Sequence, residues 1–118
     1  MALKFYKQFF TTKAEVLADI EKNNTWPTTF VSGATDGPPV HWHKDEVHAY
    51  IMEGETDFLD AETNTRTLVS IGDKIIVPER ELHAEGSIKD RVVYILALPA
   101  PRLPEDFLAM FEPDELDR

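Results

Sequence analysis

The sequence predicts an all-β sandwich or jelly roll built as one domain of 118 residues. Three observations carry that expectation. From Trp26 onward short apolar runs recur at even spacing, turn residues divide them, and very little helix lies between them, which argues against alternating βα units. The chain is long enough to bury one modest core, and its 42% apolar and 29% charged residues are those of an ordinary globular protein.

Residues 3 to 10 alternate weakly and carry Phe5, Tyr6, Phe9 and Phe10, which suits an opening strand, although a short helix would also satisfy them. A helix follows. Thr12 and Glu15 form a capping box, Val16, Leu17 and Ile20 fall on one face, and Asn23-Asn24 ends the run. Packing is its expected role. TTFVSG, VHWH, VHAYIMEG, TDFLDA, RTLVSI, KIIVP, LHAEGS and RVVYILAL then read as strands divided by ATDGPP, ETN, GD, ERE and IKD. The prolines of PAPRLP end the last strand, after which DFLAMF reads as a short amphipathic helix and EPDELDR as a solvated acidic tail. The expected organisation is one domain, 1–118: an N-terminal strand and helix over 1–25, a barrel over 26–99, and a C-terminal helix and tail over 100–118.

Charge narrows the partners. Twenty-two acidic against twelve basic side chains leave a net charge of −10, which repels phosphate backbones and anionic lipid, so neither nucleic acid nor a membrane surface is an expected partner. Lys4 and Lys7 interrupt what a signal sequence would need to be apolar, and a cytoplasmic location is expected. Cysteine is absent, so any metal must be held by nitrogen and oxygen.

The stretch HWHKDEVH, residues 41 to 48, holds three of the four histidines. His41 and His43 are two apart, and on a strand that spacing sends both rings to one face. Pro38 and Pro39 before them favour a strand over a helix. His83 lies forty residues on and completes a site only where the fold brings its strand beside the first, which a jelly roll does.

Here the sequence resembles the cupins, small β-barrels of the jelly-roll type. The family's second motif, G-x5-P-x-G-x2-H-x3-N, is matched by Gly72, Pro78 and His83 in GDKIIVPERELH, with Arg80 at the inner glycine and Ser87 at the final asparagine. The first motif, G-x5-H-x-H-x3,4-E-x6-G, is matched by His41, His43 and Gly54, while Gly37 sits two positions too close to His41 for the leading glycine. Seventeen residues separate Gly54 from Gly72, the short spacing of small bacterial members. The resemblance spans about residues 37 to 87. It implies a single cupin-type double-stranded β-helix barrel with short N- and C-terminal helices, a bound divalent metal and a homodimer.

The motif's glutamate falls on Val47 or His48. In one arrangement a one-residue shift turns the face of Glu46, His48, Tyr50 and Met52 inward, giving a four-histidine site with Glu46 beside it. In the other, Val47, Ala49 and Ile51 line the pocket and only His41, His43 and His83 bind. The placement of His48 favours the first. The expected metal ligands are then His41, His43, His48 and His83, Glu46 is the candidate for proton transfer, and Tyr50 and Met52 belong to the substrate pocket.

Such a site suits Fe(II), Mn(II), Ni(II), Zn(II) or Cu(II), binds through neutral imidazole and so empties as pH falls through about 6.5. The expected function is that of a small metal-dependent protein, a dioxygenase, isomerase or other metal-assisted enzyme on a small oxygen-rich molecule. The alternative is a non-catalytic module that holds or senses metal or a small ligand, and a third reading is a purely structural metal. Trp42, between the inward histidines, is expected to point outward and pack.

Overall fold

A computed structural model describes residues 2–116, so Met1 and the last two residues of the acidic tail lie outside it. The elements run β1 (Lys4–Tyr6), α1 (Lys13–Lys22), β2 (Trp26–Thr35), β3 (Val47–Glu53), β4 (Glu55–Asp60), β5 (Thr65–Ser70), β6 (Lys74–Val77), β7 (His83–Glu85) and β8 (Ile88–Leu98), followed by one 3-10 turn at Pro113–Glu115. Two antiparallel sheets result, one in the order β1-β6-β3-β8-β2 and one in the order β5-β4-β7. This is the two-layer jelly roll expected from the strand spacing.

The helix begins where the capping box places it. Thr12 N–H donates to Glu15 Oε1 at 2.8 Å, and Glu15 N–H returns to Thr12 Oγ1 at 3.2 Å. Asn23 is its C-cap. Val16 and Ile20 are buried against Phe10, Tyr50, Ile95 and Ala97, whereas Leu17 lies outside that face and is 47% exposed.

The large sheet has an inner and an outer face, and β3 shows which residues go where. Val47 pairs Val77, Ala49 pairs Ile75, and Ala49 also pairs Leu96 across β8, all without a shift of register. Those residues join the main core with Ile51, Phe58, Val69 and Tyr94. Tyr50 and Met52, one residue out of phase, pack with α1 on the opposite face. The register shift in β3 falls between Ile51 and Glu53, after His48 rather than before it, so it leaves the His48 face outward.

Two expected elements take another form. VHWH makes only isolated bridges, His41 to His83 and Trp42 to Phe111, because Pro38 and Pro39 supply no N–H with which to extend a ladder. DFLAMF makes turns instead of a helix: Phe107 N–H reaches Leu103 O at 3.0 Å, and Leu108 at φ +52° then breaks the run. The short C-terminal helix is the 3-10 turn after it. Among the described residues no helix is long and apolar enough to cross a membrane.

Gly37 is required where it stands. At φ +92° its Cα passes so close to β7 that an added Cβ would lie 2.8 Å from Glu85 O. That approach leads the chain directly into His41.

Candidate metal centre

His41 and His83 exchange both backbone hydrogen bonds, His41 N–H to His83 O at 2.9 Å and His83 N–H to His41 O at 3.0 Å. Residues so paired lie directly opposite and send their side chains to the same side. His43 follows two residues on, its carbonyl accepting from Arg80 N–H at 2.8 Å. The ring centroids lie 4.9 Å apart for His41 and His43, 4.6 Å for His41 and His83, and 5.0 Å for His43 and His83. Arg80, in the family's glycine position, holds the left-handed backbone a glycine would take, φ +64°.

Each ring is held the same way. Nδ1 of His41 lies 2.7 Å from Pro39 O, Nδ1 of His43 lies 3.1 Å from Ala109 O, and Nδ1 of His83 lies 2.9 Å from Glu81 O. A carbonyl only accepts, so each Nδ1 carries the hydrogen and each Nε2 presents a lone pair inward. Backbone carbonyls behind Nδ1 are what orient imidazole for a metal on Nε2.

The fourth member is Glu85, two residues after His83 and therefore on the same face of β7. One ligand atom from each of His41, His43, His83 and Glu85 lies within 4.8 Å of every other. Nε2 of His83 is 3.0 Å from Glu85 Oε2 and Nε2 of His41 is 3.5 Å from Oε1, yet both nitrogens are buried without a hydrogen-bond partner. These contacts lack hydrogen-bond direction; the atoms face a shared point. Orphaned buried nitrogens of fixed tautomer beside a carboxylate fit a divalent transition metal.

Burial, together with the neighbouring imidazoles and against the Ala109 bond, pushes His43 down to about 4, which keeps it neutral and able to bind. Burial alone would push Glu85 up, but contact with His83 first and the electrostatic pull of the surrounding imidazole rings outweigh it, and its carboxyl is held below the ordinary range.

The group forms one end of a cavity of about 580 Å³, with His43, His83 and Glu85 in its wall. Val47, Ala49, Val77 and Leu96 line it from the large sheet, and Phe107 and Leu108 from the C-terminal segment. Tyr94 lies there too; burial first and Glu85 second push its hydroxyl up, so it remains a neutral O–H donor.

The other residues singled out in the sequence lie elsewhere. His48 pairs Ile76 and Ala97 on the outer face of the large sheet, its Nε2 2.9 Å from Glu46 Oε1. The Glu46 side chain is 48% exposed. Tyr50 donates to Asp19 Oδ2 at 2.6 Å beneath α1, and Met52 packs beside it. The fold does not bring His48, Glu46, Tyr50 or Met52 to the His41, His43 and His83 rings. Trp42 points away from them, as expected, stacks on Phe111 at 4.7 Å and donates to Glu112 O at 2.9 Å. Glu85 and Tyr94 were not singled out in the sequence. For Glu85 the signal was present: the i, i+2 rule that pairs His41 with His43 equally pairs His83 with Glu85.

No protein-family model and no curated protein matches the chain. Solved structures do. The polyketide cyclase RemF from Streptomyces resistomycificus aligns with a TM-score of 0.57 at 22% identity, over 68% of this chain and 57% of that one. The DMSP lyase DddQ from Ruegeria pomeroyi gives 0.55 at 21% identity, over 71% and 45%. RmlC from Streptococcus suis, in complex with dTDP-D-xylose, gives 0.54 at 14% identity, over 80% and 57%. The chain thus spans less than two thirds of each of these proteins. Likeness at such identities is one of fold, and with the two antiparallel sheets and the register described above it makes this chain a cupin-type jelly roll.

Proposed function

We propose that this protein is a metal-dependent small cupin that holds one divalent transition metal, iron, manganese, nickel or zinc, through His41, His43, His83 and Glu85, and acts on a small oxygen-bearing molecule in the adjoining cavity. The observation that carries this reading is the shared tautomer: three Nδ1–H groups bound to backbone carbonyls, with their Nε2 atoms turned to one point beside a carboxylate. When bound, the metal would supply Lewis acidity and open positions for an oxygen donor. The chain's own residues do the rest. Val47, Ala49, Val77 and Leu96 exclude water, the C-terminal segment around Phe107 covers the opening, and the Tyr94 hydroxyl donates a hydrogen bond to a bound oxygen.

A non-catalytic binding role is the second reading, and one observation favours it. Among the described residues Glu85 is the only carboxylate in the cavity wall; its charge drawn onto a metal makes it a weak base, and Glu46 stands outside. Elemental analysis of protein purified without added metal tests the shared premise: about one equivalent in the wild type and little in His83→Ala supports it, and equal content in both overturns it. Oxygen uptake by the iron-loaded form with a panel of enediols and β-diketones separates enzyme from binder.

A homodimer is part of the same proposal. β2 is an edge strand, and its ten residues, WPTTFVSGAT, carry no charge in a chain of net charge −10. Trp26 is 53% exposed and Val31 is 54% exposed on it. A second copy pairing along this neutral edge meets no like-charge repulsion and covers both side chains. The location is proposed to be the cytoplasm.

A further inference from the structure

The wall of the cavity says more about its occupant than that it bears oxygen. Among the described residues no Lys or Arg lines it, and Glu85 at the metal end is its only carboxylate. A phosphate or a second carboxylate placed there would lose its hydration with no cation or donor array to replace it. Polar side chains other than the metal group are few: Ser32 and Thr35 on β2, and Tyr94. A polyhydroxylated body would leave most of its hydroxyls unpaired.

The apolar part of the wall is aromatic on one side. The Phe30 ring lies 6.1 Å from Tyr94 and 6.4 Å from Phe107, tilted by 41° and 48°. Phe30 remains 38% exposed, and Met110, also in the wall, 59%. Exposed apolar groups rimming a cavity whose depth is apolar mark where an apolar ligand body would be covered. Tilted rings at these distances accept a further ring edge-on or offset.

Charge sets the head group. A divalent cation with three neutral imidazoles and one carboxylate leaves one net positive charge, which a single carboxylate, phenolate or enolate oxygen neutralises; a dianion would leave an uncompensated negative charge in a cavity without cations.

Resting on the metal reading above, we infer that the cavity takes a mono-anionic ligand whose single oxygen-donor head meets the His41, His43, His83 and Glu85 group and whose ring-sized apolar body lies against Val47, Ala49, Phe30 and Phe107. Sugar phosphates and polyhydroxy acids are rejected.

Calorimetric titration of the zinc-loaded protein with 2-naphthoate, gluconate and glucose 6-phosphate tests this, because naphthoate and gluconate share a carboxylate head and differ in body. Naphthoate should bind at least 30-fold more tightly than either. Ala49→Leu, which fills the cavity, should weaken naphthoate at least 10-fold with zinc content unchanged. Phe30→Lys, at the exposed rim and tolerant of a misfolding objection to the first variant, should narrow the preference by raising affinity for glucose 6-phosphate. Gluconate or glucose 6-phosphate binding as tightly as naphthoate to protein that retains its zinc overturns the inference and leaves the metal reading standing. Naphthoate affinity unchanged in both variants also overturns it, since the ligand then sits elsewhere. Failure to retain zinc, by contrast, removes the metal reading on which it rests.

Discussion

Replacing Glu85 by glutamine exchanges one oxygen for an amide nitrogen and removes one unit of negative charge, with almost no change of volume. The side chain is 26% exposed, so the amide can find water and the fold should survive. What changes is the field at the point faced by Nε2 of His41 and His83, which Glu85 approaches to 3.5 and 3.0 Å. Loss of a group that merely supports a ligand costs about 10- to 100-fold in metal affinity. Loss of a direct anionic ligand should reach at least the upper end, roughly 100-fold or about 2.7 kcal/mol at about 1.36 kcal/mol per decade. The assay is competition for zinc against a chromophoric chelator, with circular dichroism as the check on folding. His48→Ala is the paired control, because His48 faces away from the cavity and contacts Glu46. The expected result is a loss of about 100-fold for Glu85→Gln and less than about 3-fold for His48→Ala. Glu85→Gln within 3-fold of wild type, with His48→Ala strongly weakened, would refute the geometric argument and restore the four-histidine site.

Further outcomes concern the scaffold. Asp73 is fully buried and accepts from Lys7 Nζ at 2.7 Å, Gln8 N–H at 2.8 Å and Ser70 N–H at 2.9 Å; Asp73→Ala strands these donors and should lower stability by about 3 to 5 kcal/mol in urea denaturation. Burial would push this carboxyl up, but the bonds to Lys7, Gln8 and Ser70 outweigh it and hold it below its ordinary value. A depressed folded value means that its stabilisation is present above the unfolded carboxylate range and is lost as pH falls below about 4, so Tm should drop there and Asp73→Asn should flatten that slope. Thr12→Ala breaks the capping box and should cost about 1 kcal/mol, read from the same denaturation curves. Val31→Lys places like charges across the proposed β2 contact and should convert a sedimenting dimer to monomer; a wild type already monomeric at high concentration counts against that contact.

Most of the fold was legible because its signals are local. The capping box at Thr12 and Glu15 depends on four consecutive residues, and strands separated by turn residues announce themselves without knowledge of their partners. DFLAMF was misleading for a related reason. Its helical spacing is real, but prolines 101 and 104 and the bridge from Trp42 to Phe111 hold the segment across the barrel, where Phe107 and Leu108 reach the core from turns instead. Tertiary contact overrides a short pattern there.

The site depended on which face of β3 looks inward, and that cannot be read from β3 alone. Val47-Ala49-Ile51 and His48-Tyr50-Met52 are both apolar enough to be buried, and both are: one set against the small sheet, the other beneath α1. A strand covered on both sides loses the alternation that normally fixes its orientation. The histidine on the α1 side then has its own polar neighbourhood, in which Tyr50 and Lys74 meet Asp19. Counting back from Gly54 puts Val47 at the inward position, as the structure has it, but leaves no carboxylate there, while the placement of His48 favours the other face. In the proposed site Glu85 supplies the carboxylate instead, from the strand that carries His83, whose backbone pairs with His41. A metal needs a donor at a point in space, and two strands that face one another offer that point equally. A missing ligand in one motif is therefore a reason to inspect the residue two positions from the histidine of the other.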